Sequence, residues 1–155
     1  MSIRKATTKD LDRLTELWME IMRFHEGHNP YFQLIENHNN LIPEMITKRI
    51  FEGSEICFVF ESQLIIEGMI FVKTEDLPPT IPFKKRGYIS ETIVSKNSRS
   101  KGIGEQLVSH AKQYFKKSDC EIMELQVSSK NPEGIKFWKK MGFDIGTHHM
   151  LSVLD

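Results

Sequence analysis

The nineteen residues from Asn97 to Phe115, NSRSKGIGEQLVSHAKQYF, decide the fold. They pass from a basic loop through two glycines into a helical run. A glycine pair opening a helix lets backbone N–H groups approach an anion, because the first-turn amides are unpaired and the helix dipole favours negative charge there. Phosphate is the natural guest. Three kinds of loop share that logic, and spacing separates them. A dinucleotide fingerprint needs a third glycine three residues after Gly104, where Leu107 stands. A P-loop needs Lys and Ser/Thr directly after its last glycine, where Glu105 and Gln106 follow. What remains is Arg99-x-x-Gly102-x-Gly104 behind RGYISETIV (Arg86 to Val94), a strand-like mix of β-branched and aromatic residues. The unit is strand, short basic loop, glycine turn, helix.

Working outward, 155 residues suit one domain with one core. The 21 basic and 21 acidic residues cancel. That balance disfavours a nucleic-acid binder relying on bulk charge and points to a small partner. The two cysteines, Cys57 and Cys120, sit in apolar, strand-like stretches and read as buried free thiols, which fits a reducing cytosol. No leader-like start and no membrane-length apolar run is present, so a soluble, cytoplasmic protein is expected.

Along the chain, Ile3 to Ala6 reads as a first strand. Thr7 or Thr8 caps a helix whose positions Leu11, Leu14, Trp18, Ile21 and His25 recur at three and four residues. Gly27 and Pro30 end it, and a polar loop runs to Asn40. A second helix is expected over Leu41 to Phe51, with Pro43 in its first turn. EICFVFE and LIIEGMIFVK, separated by Ser62 and Gln63, read as a hairpin, and LPPTIPFKK as a loop. EIMELQVSS reads as a strand. NPEGIKFWKKMG reads as a helix with Asn131 as cap, Pro132 at its first position and Gly142 as its stop. THHMLSVL reads as a closing strand.

This order, together with two motifs, resembles the GNAT superfamily of acyl-CoA-dependent N-acetyltransferases over essentially the whole chain. Arg99-Ser100-Lys101-Gly102-Ile103-Gly104 is similar to the family's Gln/Arg-x-x-Gly-x-Gly/Ala signature. NPEGIKFWKKMGF (Asn131 to Phe143) resembles its Asn-x-x-Ala-x-x-Phe-Tyr-x-Lys-x-Gly-Phe pattern. The resemblance implies one α/β (α+β) GNAT domain over residues 1–155. Its sheet would be mixed and mostly antiparallel, with about six to seven strands and about four flanking helices. It also implies acetyl-CoA as cosubstrate, an amine acceptor, no metal, no nucleic acid and no membrane, and leaves a homodimer open.

Residue by residue, the resemblance lays the pyrophosphate of acetyl-CoA on Arg99, Ser100, Lys101, Gly102, Ile103, Gly104 and Glu105. It lays the pantetheine arm beside Thr92, Ile93 and Val94, where the family's strand splays from the next. Asn131 matches the family's asparagine near the pantetheine and is equally a good helix cap. His25, Glu26, His28 and Tyr31 fall in the region that covers the acceptor pocket. His110, His148 and His149 have no metal-ligand spacing.

One position departs from the family pattern. Trp138 stands where many relatives carry a Tyr thought to protonate the departing thiolate, and an indole N–H is no general acid at neutral pH. Water or another phenol, Tyr88 or Tyr31, would have to serve. Glu91, in YISETIV, is the candidate base for an ammonium acceptor, or else the polar face of its strand. Gln126 stands where some relatives place a second acid. Three readings therefore stay open at this level: an N-acetyltransferase, a non-catalytic acyl-CoA-binding module, and, disfavoured by the loop spacing, a nucleotide binder of another fold.

Overall fold

The computed structural model describes residues 1–155. At its centre β2 (Ile56–Ser62) and β3 (Ile65–Asp76) form the antiparallel hairpin that the two apolar runs predict. The turn falls one residue later than expected, at Gln63 and Leu64, with φ of 50° and 64°. Two left-handed central residues make the tight hairpin turn usually given to Asn-Gly. Neither residue here is glycine, which costs roughly 1–2 kcal/mol at each position.

β1 (Ser2–Lys5) pairs antiparallel with β2, and β4 (Lys85–Val94) antiparallel with β3; β5 (Ile122–Leu125) runs parallel to β4. The strand order is β1-β2-β3-β4-β5, a mixed, mostly antiparallel sheet of five strands rather than about six or seven. The expected closing strand THHMLSVL is absent: the segment pairs with no strand, and Met150, Val153 and Leu154 stand exposed. Strand-like composition is not enough without a ladder partner, and the outer edge of β5 takes none. Within EIMELQVSS only four residues form a strand, because pairing with β4 ends at Leu125.

Side chains alternate across a strand, so β2 and β3 feed two cores. Cys57, Val59, Met69 and Phe71 pack beneath α1 (Leu11–His25) and α2 (His38–Ile46). Phe58, Phe60, Ile70 and Val72 pack beneath α3 (Ile103–Lys117) and α4 (Pro132–Lys140). Each fully buried side chain of this size contributes roughly 1.5–3 kcal/mol. Gly87 is what lets α3 close on β4: a Cβ there would lie 2.4 Å from the Phe115 ring. Cys57 is buried, which pushes its thiol up, whereas Cys120 is only half-buried; neither is in a disulfide. No helix is long and apolar enough to cross a membrane.

Local signals place the helices well. Thr7 opens the first turn in a reciprocal capping arrangement with Asp10, whose Oδ2 accepts the Thr7 N–H at 2.7 Å. Asn131 Oδ1 accepts the Gly134 N–H at 3.0 Å, with Pro132 at the first position of α4 and Gly142 at φ 93° beyond its end. The second helix differs from expectation. It starts at His38, so Pro43 lies in its interior rather than its first turn. The chain leaves α2 through a wider turn, Thr47–Phe51, in which the Glu52 N–H donates to the Thr47 carbonyl at 3.0 Å. That five-residue spacing is π-type geometry, frequent at functional sites, and Arg49 lies within it.

Candidate active site

The site begins with an irregularity in β4. Val72 faces Ile89 and Phe71 faces Glu91, so Ser90 is an extra residue, a β-bulge. A bulge inverts the alternation beyond it. Ile89 accordingly joins the core beneath α3, while Ile93, four residues on, joins the core beneath α1 and α2. Tyr88 and Glu91, three apart, would face opposite ways on an unbroken strand; the bulge brings them to the α1/α2 side together.

A second irregularity opens the sheet. β4 runs to Val94, but its pairing with β5 stops at Ile89 opposite Leu125. Beyond that point the two chains separate around a cleft of about 810 Å³. Residues 90–94 and 125–128 line its two sides, α3 begins at one end, and α1 overhangs the other.

At the α3 end, Ser100 and Gly102 take left-handed backbone conformations, φ 62° and 74°, and turn the loop into the helix. Gln106 is the first residue there whose N–H finds a helical carbonyl, that of Gly102 at 3.1 Å. The amides of Ile103, Gly104 and Glu105 precede it, where an α-helix supplies no partner. The loop is tied down from outside: the Lys96 N–H donates to Glu20, and the Ser98 hydroxyl to Glu67 at 2.9 Å. Arg99 Nε donates to the Val94 carbonyl at 3.2 Å, and its guanidinium lies 5.3 Å over the Phe24 ring. Gly104 serves packing as well as approach, since a Cβ there would meet the Phe137 ring of α4 at 3.3 Å. Trp138 stands edge-on to Phe137 and Phe143, with centroids 5.0 and 5.4 Å away. The Thr92 hydroxyl is buried without a hydrogen-bond partner. An open strand edge, an orphaned hydroxyl and a helix start with free amides fit a long polar ligand with an anionic end, such as an acyl-CoA.

At the other end a guanidinium joins two carboxylates. Arg49 Nε and Nη2 donate to the two oxygens of Glu55 at 3.0 and 2.8 Å, and Nη1 lies 3.7 Å from Glu91. Its guanidinium stacks on Trp18 and Phe71, 5.1 and 5.3 Å from the ring centroids. The Ser90 hydroxyl, aimed by the bulge, donates to Glu55 at 2.9 Å. Burial pushes the Glu91 carboxyl up to about 7; Arg49 pulls it down and Glu55 adds to the rise. The side chain still keeps 27 % of its surface open. Tyr88 is raised by burial against the pull of Lys73 and Arg86, so its phenol keeps its proton at neutral pH. His25 Nδ1 lies 3.0 Å from the Ile21 carbonyl and must donate to it, leaving Nε2 as an acceptor. Burial also lowers the His25 pKa, which holds the ring neutral.

Of the residues expected at the site, Tyr88, Glu91, Thr92, Ile93 and Val94 line the cleft from β4. Arg99, Ser100, Gly102, Ile103, Gly104 and Glu105 line it from the glycine turn, Asn131 and Trp138 from the α4 side, and His25 from α1. Lys101, Glu26, His28 and Tyr31 are not among its lining residues. Lys101 is exposed, and Tyr31 is turned toward His149, 6.4 Å away in a stacked arrangement. The sequence reading missed Arg49, Glu55 and Ser90 and the aromatic wall of Trp18, Phe24 and Phe32. An arginine in the otherwise apolar stretch RIF was the one local signal, and nothing local announced its partner.

Comparison with known proteins gives the class. The model of the acetyltransferase (GNAT) family matches residues 11–143, and the chain belongs to this family. An uncharacterized N-acetyltransferase of Methanocaldococcus jannaschii is 28 % identical over 143 residues, which cover 92 % of this chain and 60 % of that protein. The chain thus spans about 60 % of the length of that curated relative. A solved tetramutant protein from Bacillus halodurans superposes with a TM-score of 0.87 at 23 % identity, covering 99 % of this chain and 100 % of that one. A predicted acetyltransferase of Clostridium acetobutylicum, solved with acetyl-CoA, gives a TM-score of 0.74 at 21 % identity, covering 99 % and 95 %. At these identities the two structures share the fold.

Proposed function

We propose that the chain, as a single domain over residues 1–155, is an N-acetyltransferase. It would move the acetyl group of acetyl-CoA to a primary amine by direct attack in a ternary complex. One observation carries the reading. A single cleft joins a helix start with free amides to a carboxyl poised near neutrality, with an unpaired strand edge between them.

Acetyl-CoA would supply an activated acetyl thioester. The amides of residues 103–105 and Arg99 would hold its pyrophosphate, and the open edge of β4 at Thr92 to Val94 its amide-bearing arm. An ammonium acceptor must lose a proton before its nitrogen can attack. Glu91 has the position and the proton affinity to take it, directly or through one water, because a base works best with a pKa near the working pH. As nitrogen bonds to the acetyl carbon, the C–S bond breaks and its electron pair leaves on sulfur; the nitrogen then sheds its second proton, which returns through water to whichever group protonates the sulfur. Tyr88, protonated and on the same side of β4 as Glu91, is the donor to that sulfur. A thiol pKa of about 8.5 makes the thiolate a tolerable leaving group even when water substitutes. Trp138 shapes the wall and moves no proton.

The test combines calorimetry and a thiol-release assay. Acetyl-CoA should bind with a chelator present, and a panel of primary amines should give amine-dependent release of CoA thiol. Binding without release for every amine would favour the second reading, a non-catalytic acyl-CoA-binding module, which the loss of the family Tyr at Trp138 supports. Failure to bind would remove both.

A further inference from the structure

The far end of the cleft carries a charge and shape pattern that selects among amines. The charged groups clustered at Glu91 are Arg49 and Glu55, so that two acids face one base when all are ionised. The guanidinium is committed to the acids: Nε and Nη2 bond Glu55, and Nη1 faces Glu91 at 3.7 Å. Its faces are covered by Trp18 and Phe71. A cation is therefore welcome at Glu91, while an anion beside it meets two carboxylates against one guanidinium already turned to them. Of the other cations lining the cleft, Lys73 is held by Glu75 at 2.6 Å, and Arg99, 5.3 Å over the Phe24 ring, is the one the pyrophosphate would take.

Beyond Glu91 the wall changes character. Ile21, Met22, Phe24 and Phe32 line it, and the His25 ring packs among them, with centroids 5.0 Å from Phe24 and 4.9 Å from Phe32. His25 is neutral there and spends its N–H on the Ile21 carbonyl. No carboxylate from α1 or the segment after it lines this stretch, so a second ammonium would be desolvated without compensation. The remaining acids on the cleft, Glu105 and Glu133, lie at the α3 and α4 starts, and Glu105 is paired with Lys140.

We propose that the acceptor is a primary monoamine with an apolar body, aromatic or branched, and no carboxylate. The ammonium sits at Glu91, and the apolar body lies along Phe24, Phe32, Ile21 and Met22. The inference rests on the acetyltransferase reading and narrows it: amino acids are rejected for their carboxylate, and diamines for their second charge.

The experiment uses the full chain with four probes, 2-phenylethylamine, isoamylamine, phenylalanine and putrescine. Each is titrated calorimetrically against protein saturated with CoA and then assayed for thiol release with acetyl-CoA. Both monoamines should bind, with kcat/KM for 2-phenylethylamine exceeding that for phenylalanine by about 100-fold or more, the scale of an uncompensated charge. It should exceed that for putrescine by about 10-fold or more. Phe32→Glu should reverse the putrescine ranking by supplying the missing carboxylate, and Met22→Glu repeats that test from the other side of the wall should Phe32→Glu not fold. Phenylalanine or putrescine matching 2-phenylethylamine would overturn the inference while leaving the transferase reading intact, as would four probes that all fail to bind. The predicted binding order without any thiol release would show the amine selectivity of the site but sink the transferase reading, and the acceptor role with it.

Discussion

Arg49 and Glu55 push the proton affinity of Glu91 in opposite directions, so removing each should displace the pH dependence of acetyl transfer in opposite directions. Arg49→Met is the cleaner of the two perturbations, because a flexible thioether can fill the slot between Trp18 and Phe71 without bringing a charge. Arg49 Nη1 lies 3.7 Å from Glu91. At an effective dielectric near 20, unit charges about 4 Å apart interact by about 4 kcal/mol. Glu55 already neutralises much of the guanidinium, and water reaches part of Glu91, so the net displacement should be about one to two pH units.

The sign follows from which form of Glu91 works. A carboxyl acting as base is active only when ionised, so kcat/KM in the wild type should fall about tenfold per unit as pH drops below its midpoint near 7. Arg49→Met should move that midpoint up to about 8 to 9 and cost about 5- to 50-fold at pH 7, with recovery at higher pH. Glu55→Gln should move it below 7 and extend activity into acid. The assay is initial-rate thiol release at subsaturating amine from about pH 5.5 to 9.5, with Glu91→Gln as reference. That reference should lose roughly 10² to 10⁴ at pH 7 and show no break near 7, rising about tenfold per unit with the free amine toward its pKa near 10. A break near 7 that persists in Glu91→Gln, or that moves the same way in both neighbours' variants, would refute the assignment.

Two further outcomes test the cofactor end. Trp138→Phe keeps an aromatic ring against Phe137 and Phe143, so turnover should fall by far less than the roughly hundredfold expected for a lost general acid; a larger loss in a folded variant that binds acetyl-CoA would give the indole N–H a chemical role. Gly104→Val drives a branched side chain toward Phe137, so a thermal melt should show a destabilisation of about 1–3 kcal/mol together with weaker acetyl-CoA binding. Adding Phe137→Leu should recover part of the stability, and a Gly104→Val melt identical to wild type would show that α3 and α4 do not meet there.

Short-range chemistry was legible in the amino-acid sequence and held in three dimensions. The glycine turn into α3, the Asn131 cap with Pro132 behind it, the hairpin of β2 and β3 and the stop at Gly142 depend on residues within a few positions of one another. The backbone conformations and capping bonds they need are the same wherever the segment sits. The family followed from the same local signals, because both of its motifs are helix starts. Register and long-range pairing were not legible. Whether Ser90 bulges is settled by how β4 meets β3, and that one residue decides that Tyr88 and Glu91 share a side. THHMLSVL has the composition of a strand and no edge to join. The proton affinity of Glu91 comes from the burial of its strand and from a guanidinium and a second carboxylate some forty positions away, brought there by a π-type turn and the start of β2. Charge interactions act through space and weaken with distance in three dimensions, not along the chain, so only the tertiary structure could bring an acid in a strand to a proton affinity near neutral pH.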